Sequence, residues 1–350
     1  MRVLVVNAGS SSLKLRVLGP GDELLGSSQD DDAEAALAGL PVADAVGHRV
    51  VHGGDRHTQP ERITPALLAS LEDLADLAPL HQPKSLDGIE LVSRVHPDLP
   101  AVACFDTAFH ATLPPAAATY ALPKAWRERW PLRRYGFHGL SHAYAARRAA
   151  ELLGRPLVQL RHVTCHLGAG ASLAAVEGGR CVDTTMGFTP LEGLVMATRS
   201  GTVDPGLVLW LAERHGVAPR ELATQLEKRS GLLGLAGTAD MRQVLAGAGR
   251  GDPDARLALD VHHHRLRGEI GRMAAALGGL DALVFTGGVG ERSAPVRAAA
   301  CAGAAHLGVA LDAPANDAAD GDAVIGEKAV VVAAREDLEI ARGVRAVLGA

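Results

Sequence analysis

Val3-Leu4-Val5-Val6-Asn7-Ala8-Gly9-Ser10-Ser11-Ser12-Leu13-Lys14-Leu15-Arg16-Val17 reads as strand, tight turn, strand. Val3 to Val6 is an apolar run. Asn7 to Ser12 is turn chemistry, because glycine and small residues tolerate unusual backbone angles. Leu13, Leu15 and Val17 then alternate with Lys14 and Arg16, the period of a strand with one buried face.

The pattern returns about 160 residues later. Val163 to His166 is strand-like, Gly168-Ala169-Gly170-Ala171-Ser172 is a small-residue turn, and Leu173 to Val176 is a second strand. Glu177-Gly178-Gly179-Arg180 then reads as a hairpin turn. Two such units suit a duplicated domain, each copy offering a phosphate loop, or two unrelated glycine-rich hairpins. A third glycine loop differs: the strand Ala282 to Phe285, the turn Thr286-Gly287-Gly288-Val289-Gly290, and a helix from Glu291 onward. That order suits an anion held by backbone N–H groups and a helix dipole, or a plain βα turn of an α/β fold. Helices are expected over Pro65 to Leu77, Ser141 to Leu153, Gly206 to His215 and Asp254 to Leu277. Strands alternating with helices make an α/β architecture. Asp312 to Asp322 reads as a solvated loop. His262-His263-His264 faces three directions on a helix and reads as helix surface, a poor metal site.

The bulk properties narrow the function. The 350 residues suit two domains, and 47% hydrophobic with 21% charged residues is ordinary for a globular protein. A net charge of −5 and 3% aromatic residues give neither an electrostatic footprint nor a stacking surface for nucleic acid. No apolar run is long enough to span a membrane, and no leader is recognised at the N-terminus. Cys104, Cys165, Cys181 and Cys301 lack metal-ligand spacing and read as reduced thiols buried in strands, so a cytoplasmic location is expected.

Candidates for anion chemistry are spread along the chain. Arg49, in the strand-like run Gly47 to Gly54, has a forked guanidinium suited to a carboxylate or phosphate, or to a structural ion pair. Arg199, in Met196 to Gly201, has the same two readings. Asp106 follows the strand Val102 to Phe105, a position where α/β sites form. His138 and His81 are flanked by glycine or proline, and each suits either an anion or a structural hydrogen bond.

Taken together, the runs VVNAGSSSLKLRV, GHRVVHGG, LAPLH, FDTAFHATLP, RRYGFHGLSH, MGFTPLEGL, TRSGTVDP, SGLLGLAGTADMR and VFTGGVGE occur in this order. They resemble the motif series of acetate kinases, within the acetate, propionate and butyrate kinase group, from Val3 to about Arg342. The resemblance implies a duplicated actin-like (ribonuclease H-like) two-domain α/β fold with a central cleft. The first domain would hold residues 1–110 and 339–350 on the acyl and phosphate side. The second, 111–338, would bind nucleotide and form a homodimer. It further implies reversible, Mg²⁺- (or Mn²⁺-) dependent phosphoryl transfer between ATP/ADP and acetate/acetyl phosphate, propionate and butyrate being the alternative acceptors. A non-catalytic nucleotide or acyl-phosphate sensor of the same fold is the other alternative.

By the same resemblance, Asn7 and Glu336 would serve the metal, with Ser10, Ser12 and Lys14 near the phosphates. Asp106, His138 and Arg199 would be catalytic, with His81 close by. Acetate needs no deprotonation at neutral pH, so Asp106 is read as an organiser and not as a base. Arg49 would hold the carboxylate, and Val51, Leu80, Phe137 and Pro190 the acyl methyl. His166, Leu167, Gly168, Ala169 and Gly170, then Asp240, Met241 and Arg242, then Gly288, Val289, Gly290, Glu291 and Arg292 would line the nucleotide site. The chain departs from the family pattern in that Ala169, Arg292, Arg335, Gln82 and Ser85 stand where asparagine is usual, and Leu140 where threonine or serine is. It is also shorter between Leu18 and Val46.

Overall fold

The computed structural model describes residues 1–8, 13–29, 32–78 and 82–350, without the side chains of Ala8 and Ala33. The chain divides into two compact units. One comprises Met1–Ala111, Phe137–Tyr144 and Arg335–Ala350; the other comprises Thr112–Gly136 and Ala145–Ala334.

In the first unit the opening run becomes β1 (Val3–Ala8) and β2 (Leu13–Leu18), paired antiparallel. With β3 (Leu24–Ser28), β4 (Ala45–Val50), β5 (Glu61–Arg62) and β6 (Ala101–Phe105) they form a sheet of order β3-β2-β1-β4-β6-β5. β1, β4 and β6 run parallel. Both faces are covered, which is why β1 is apolar from Val3 to Val6 and not alternating. Val3 and Val5 pack on Ile340, Ala341 and Val344 of the helix Glu336–Leu348. Leu4 and Val6 face the other way, into a cluster that includes Val92 of the helix Gln82–Val95. Gly47 lets the former helix approach: a Cβ there would lie 2.5 Å from Cγ2 of Ile340.

The second unit holds β7 (Arg161–Leu167), β8 (Ala171–Glu177), β9 (Arg180–Thr184), β10 (Ala282–Thr286), β11 (Ala310–Leu311), β12 (Ala323–Glu327) and β13 (Ala329–Val331). Their order is β11-β12-β13-β10-β7-β8-β9. Outward from β7, β8 and β9 follow antiparallel on one side, and β10 and β13 lie parallel on the other. Outward from β1 the same arrangement holds, with β2 and β3 on one side and β4 and β6 on the other. The duplication expected from the two hairpins is therefore present in the sheets. Gly178 and Gly179, at φ 56° and 84°, close the β8–β9 hairpin with the two positive angles its tight turn needs.

Four local expectations change. The turn expected at 286–290 is already helical from Gly287, in the helix Gly287–Arg292. Gly287 makes the entry, at φ 79° and against the Leu167 carbonyl, where a Cβ would lie 2.8 Å away. The loop expected at 312–322 contains the helix Ala313–Ala318, capped by the Asp312 side chain. Cys301 lies on the helix Ala294–Gly303 and not on a strand, although all four cysteines are free and buried. His262 is buried, at 5% exposure, and not on the helix surface. Among the described residues no helix is long and apolar enough to cross a membrane.

Several histidines are folded inside. Burial holds His48 at about 3 and His52, His110, His162 and His262 at about 4, against an ordinary 6.5. They are neutral in the fold and charged in an unfolded chain below pH 6.5. The unfolded state therefore binds more protons as pH falls, and stability present above 6.5 is lost between about 6.5 and 4. Each such histidine contributes on the order of 1–3 kcal/mol to that loss. The melting temperature is expected to drop on going from pH 7 to pH 5, with a shallower slope in His162→Phe. An unchanged melting temperature over that range would contradict neutral burial.

Candidate active site

In the first unit the C-terminal ends of the parallel strands gather charge. Arg49 lies on β4, and Asp106 immediately follows β6. The Arg49 Nε donates to both carboxylate oxygens of Asp106 at 3.1 Å, and Nη2 donates to Oδ2. Arg49 Nη1 donates to Asn7 Oδ1 at 3.1 Å, while Asn7 Nδ2 donates to Glu336 Oε2 at 3.0 Å. Thus β1, β4, the end of β6 and the start of the C-terminal helix each supply one member of a connected cluster. Asp106 is 1% exposed. Burial raises its carboxyl from the usual range and Arg49 pulls it back. A guanidinium this close, itself raised by Asp106 and Glu336 against the cost of burial, keeps the pair ionic. The sequence left Arg49 open between an ion pair and a ligand contact. The ion pair is formed.

The neighbouring backbone is fixed as well. His138 sits in the left-handed region at φ 57°, a strained state for a non-glycine residue. It is followed by Gly139, whose N–H donates to the Asp106 carbonyl at 2.8 Å. A Cβ at Gly139 would come within 2.2 Å of that oxygen, so only glycine allows the approach. Phe137 is 1% exposed and meets the His52 ring edge-on at 5.5 Å, with Val51 buried alongside in sequence. Gln82, read only as a departure from a pattern, is buried and clamps this loop. Its Oε1 accepts from His52 N, and its Nε2 donates to His52 O, both at 3.1 Å.

The second unit presents a cavity of about 600 Å³. Leu167 at the end of β7 and Gly168 and Ala169 of the loop after it line it, as do Asp240, Met241 and Arg242, and Gly288, Val289 and Arg292. Apolar side chains such as Leu232, Met196 and Leu245 make most of the rest of its wall, with His262 and Ser293 among them. Asp240 caps the helix Met241–Gly249, accepting from Arg242 N at 2.9 Å. Elsewhere in this unit, Arg199 Nη1 donates to the Pro190 carbonyl at 2.7 Å. Burial lowers the Arg199 guanidinium from its ordinary value, which Glu227 opposes. The loop before it is held by Glu192, which accepts from Tyr120 and Arg134, each at 2.6 Å.

The family model for the acetokinase family matches residues 33–342. The chain belongs to the acetokinase family.

An acetokinase relative, the acetate kinase of Leifsonia xyli, is 48% identical over 97% of each chain. Among solved structures, Porphyromonas gingivalis acetate kinase matches with a TM-score of 0.91 at 35% identity, covering 99% of each chain. A propionate kinase from Francisella tularensis matches with 0.89 at 34% identity, covering 98% of each. With these structures the chain shares the duplicated actin-like fold.

The acetokinase motif residues fall as follows. Asn7, Arg49, Asp106 and Glu336 are brought together by hydrogen bonds. Lys14 is exposed on β2, opposite Asn7 in register. Ser10, Ser12, Leu80 and His81 lie outside the described residues. His166 lies on β7 next to Leu167, which ends the strand and enters the cavity wall, and Gly170 closes the loop by accepting from Gly168 N at 3.0 Å. Gly290 and Glu291 are not in the wall; their carbonyls accept from buried Arg297 at 3.0 and 2.6 Å. Arg335 is taken up by Asp337, to which Arg16 also donates, so its charge is locally met. Leu140 joins the core beside Val3 and Ile340. The sequence reading missed His262. Its signal was the spacing Ala255, Ala258, His262, Leu266, Ile270 on one helical face.

Removing Arg49 strands a buried carboxylate, so Arg49→Met is expected to cost about 3–5 kcal/mol of stability. Adding Asp106→Asn is expected to cost less than the sum of the single changes, with a coupling of about 1–3 kcal/mol in urea unfolding. Additive losses would mean that the pair is not an energetic unit.

Proposed function

We propose that the chain is an acetate kinase: it transfers the γ-phosphoryl group of ATP to acetate, reversibly and in line, giving acetyl phosphate and ADP. Family membership and the buried Arg49–Asp106–Asn7–Glu336 cluster carry this reading. Acetate is already ionised at neutral pH, so it attacks without a base. Asp106, tied to Arg49, therefore organises charge and does not remove a proton. Arg49, whose Nε and Nη2 are held by Asp106 and whose Nη1 rests on Asn7, takes the substrate carboxylate in place of part of that bonding, and His138 and Arg199 stabilise the transferring phosphoryl. Charge spread over its oxygens makes such donors worth about 10³-fold or more in rate.

The donor set suits a hard divalent cation. Asn7, Glu336 and Asp106 offer side-chain oxygens to a metal, two of them carboxylates beside the Arg49 guanidinium. Mg²⁺ favours such a site, using few protein ligands and completing its shell with water and phosphate. Asn7 and Glu336 would hold it, and when bound it neutralises phosphate charge. The apolar cavity of the second unit takes the nucleoside, and Gly168 with Gly288 offers backbone close to its phosphates.

Val51 and Phe137, at 6% and 1% exposure, make a small acyl surface. Rejecting one extra methylene is worth only about 1–3 kcal/mol, so propionate is a slower second substrate. The near-equal identity to acetate and propionate kinase structures supports the same view. Free, buried cysteines support a reducing compartment, the cytoplasm. A homodimer is supported by the helix Pro205–His215, which has no buried residue although Leu207, Leu209 and Trp210 are 48%, 60% and 50% exposed.

Hydroxylamine trapping of acetyl phosphate tests the reaction. Turnover is expected with ATP, Mg²⁺ and acetate, declining through propionate to butyrate. Arg199→Ala is expected to lose about 10³-fold, mainly in kcat, and Arg49→Ala to raise the acetate KM as well. Tight nucleotide binding without turnover on any of the three acids would make the protein a sensor. For assembly, Leu209→Asp with Trp210→Asp is expected to convert dimers to monomers in sedimentation. Wild-type monomers at micromolar concentration would refute the dimer.

A further inference from the structure

The helix Pro253–Ala276 turns Ala255, Ala258, His262, Leu266 and Ile270 to the interior. Those three- and four-residue steps make one face, so His262 occupies a core position. It stands in the cavity wall of the second unit, near-fully buried, as do Met241 and Leu232. Its Nδ1 is buried and finds no hydrogen-bond partner among the described residues. Ser293 lines the same cavity, and its Oγ is also buried without a partner. Ser293 is the N-cap of the helix Ala294–Gly303, where a serine hydroxyl normally accepts from the first turn, yet it makes no capping bond. Buried polar atoms are almost always paired. Two unpaired ones in one cavity imply a ligand that supplies their partners.

The polarity of the cavity says which part of a ligand goes where. Arg242 and Arg292 are exposed members of the lining, whereas His262, Met241 and Leu232 are its buried members. An anionic part therefore belongs at the exposed side, and a flat, mostly apolar part inside. Burial keeps the His262 imidazole neutral, at about 4, so it offers one donor and one acceptor. The Ser293 hydroxyl can likewise give or take a hydrogen bond. The adenine edge presents a complementary pair, a 6-amino group that donates and a ring nitrogen that accepts.

We propose that His262 and Ser293 read the 6-position edge of the purine base of the bound nucleotide. This rests on the nucleotide assignment of the cavity made above. Recognition of one donor and one acceptor by two short side chains fixes the depth to which the base enters. That depth places the phosphates at the loops carrying Gly168 and Gly288.

The test is calorimetric binding of ATP and of purine riboside triphosphate, which is ATP without its 6-amino group. Wild-type protein is expected to bind ATP about five- to tenfold more tightly, the value of one neutral hydrogen bond. His262→Phe keeps an aromatic ring, removes the nitrogens, and is expected to bind the two alike. Ser293→Ala is expected to narrow the preference in part. Equal affinities in the wild type, or full ATP preference in both variants, would overturn the proposal. Should His262→Phe fail to fold, the wild-type ratio and Ser293→Ala decide it. Failure of the wild type to bind either compound refutes the nucleotide assignment itself, whereas equal binding refutes only the base reading.

Discussion

A guanidinium and a carboxylate held out of water, Arg49 and Asp106, set the terms for the first unit. Each alone is intolerable in a protein interior. Together they require β4 and β6 to lie side by side in parallel, which their register supplies. They also need further hydrogen-bond partners, which come from Asn7 at the end of β1 and, through it, Glu336 at the start of the last helix. The apolar core explains why strands and helix stack, with Val3, Val5 and Gly47 receiving Ile340 and Val344. The polar cluster fixes the angular setting of those elements at one end. Structure and chemistry share the same atoms there, and the site cannot be loosened without loosening the sheet.

The second unit solves a different problem with the same strand plan. Its glycines at 168 and 288 leave the backbone bare around a largely apolar hollow. Where the first unit concentrates charge inside, this one keeps it off the buried part of the lining, in Asp240, Arg242 and Arg292. The repeated strand order is thus a neutral frame, and the side chains at the strand ends decide what each copy does.

The hairpins were legible because glycine and serine between two apolar runs have few other uses. The strand ends carrying Arg49 and Asp106 were legible too, since a charge beside a buried strand must be accounted for. What escaped was long-range. Gln82 gave no local sign that it would grip the backbone of His52 thirty residues away. His262 was hidden by its own neighbours. Three histidines in a row look like a polar surface, and only the apolar period of the whole helix shows that one of them turns inward. The helix beginning at Gly287 was missed because glycines predict turns locally, while here a close neighbouring strand demands them.

The first unit is threaded from three separated stretches, ending with Arg335–Ala350. A chain emerging from the ribosome presents residues 1–111 long before the helix that covers β1 and β4 exists. Until then Val3, Val5, Ala45 and Val102 have lost one side of their burial. The second unit, whose last residue is Ala334, has all its residues before the first does. The first unit is thus completed last, and its strands β1 and β4 depend on Ile340 and Val344 for release from the exposed, adhesive state that chaperones recognise.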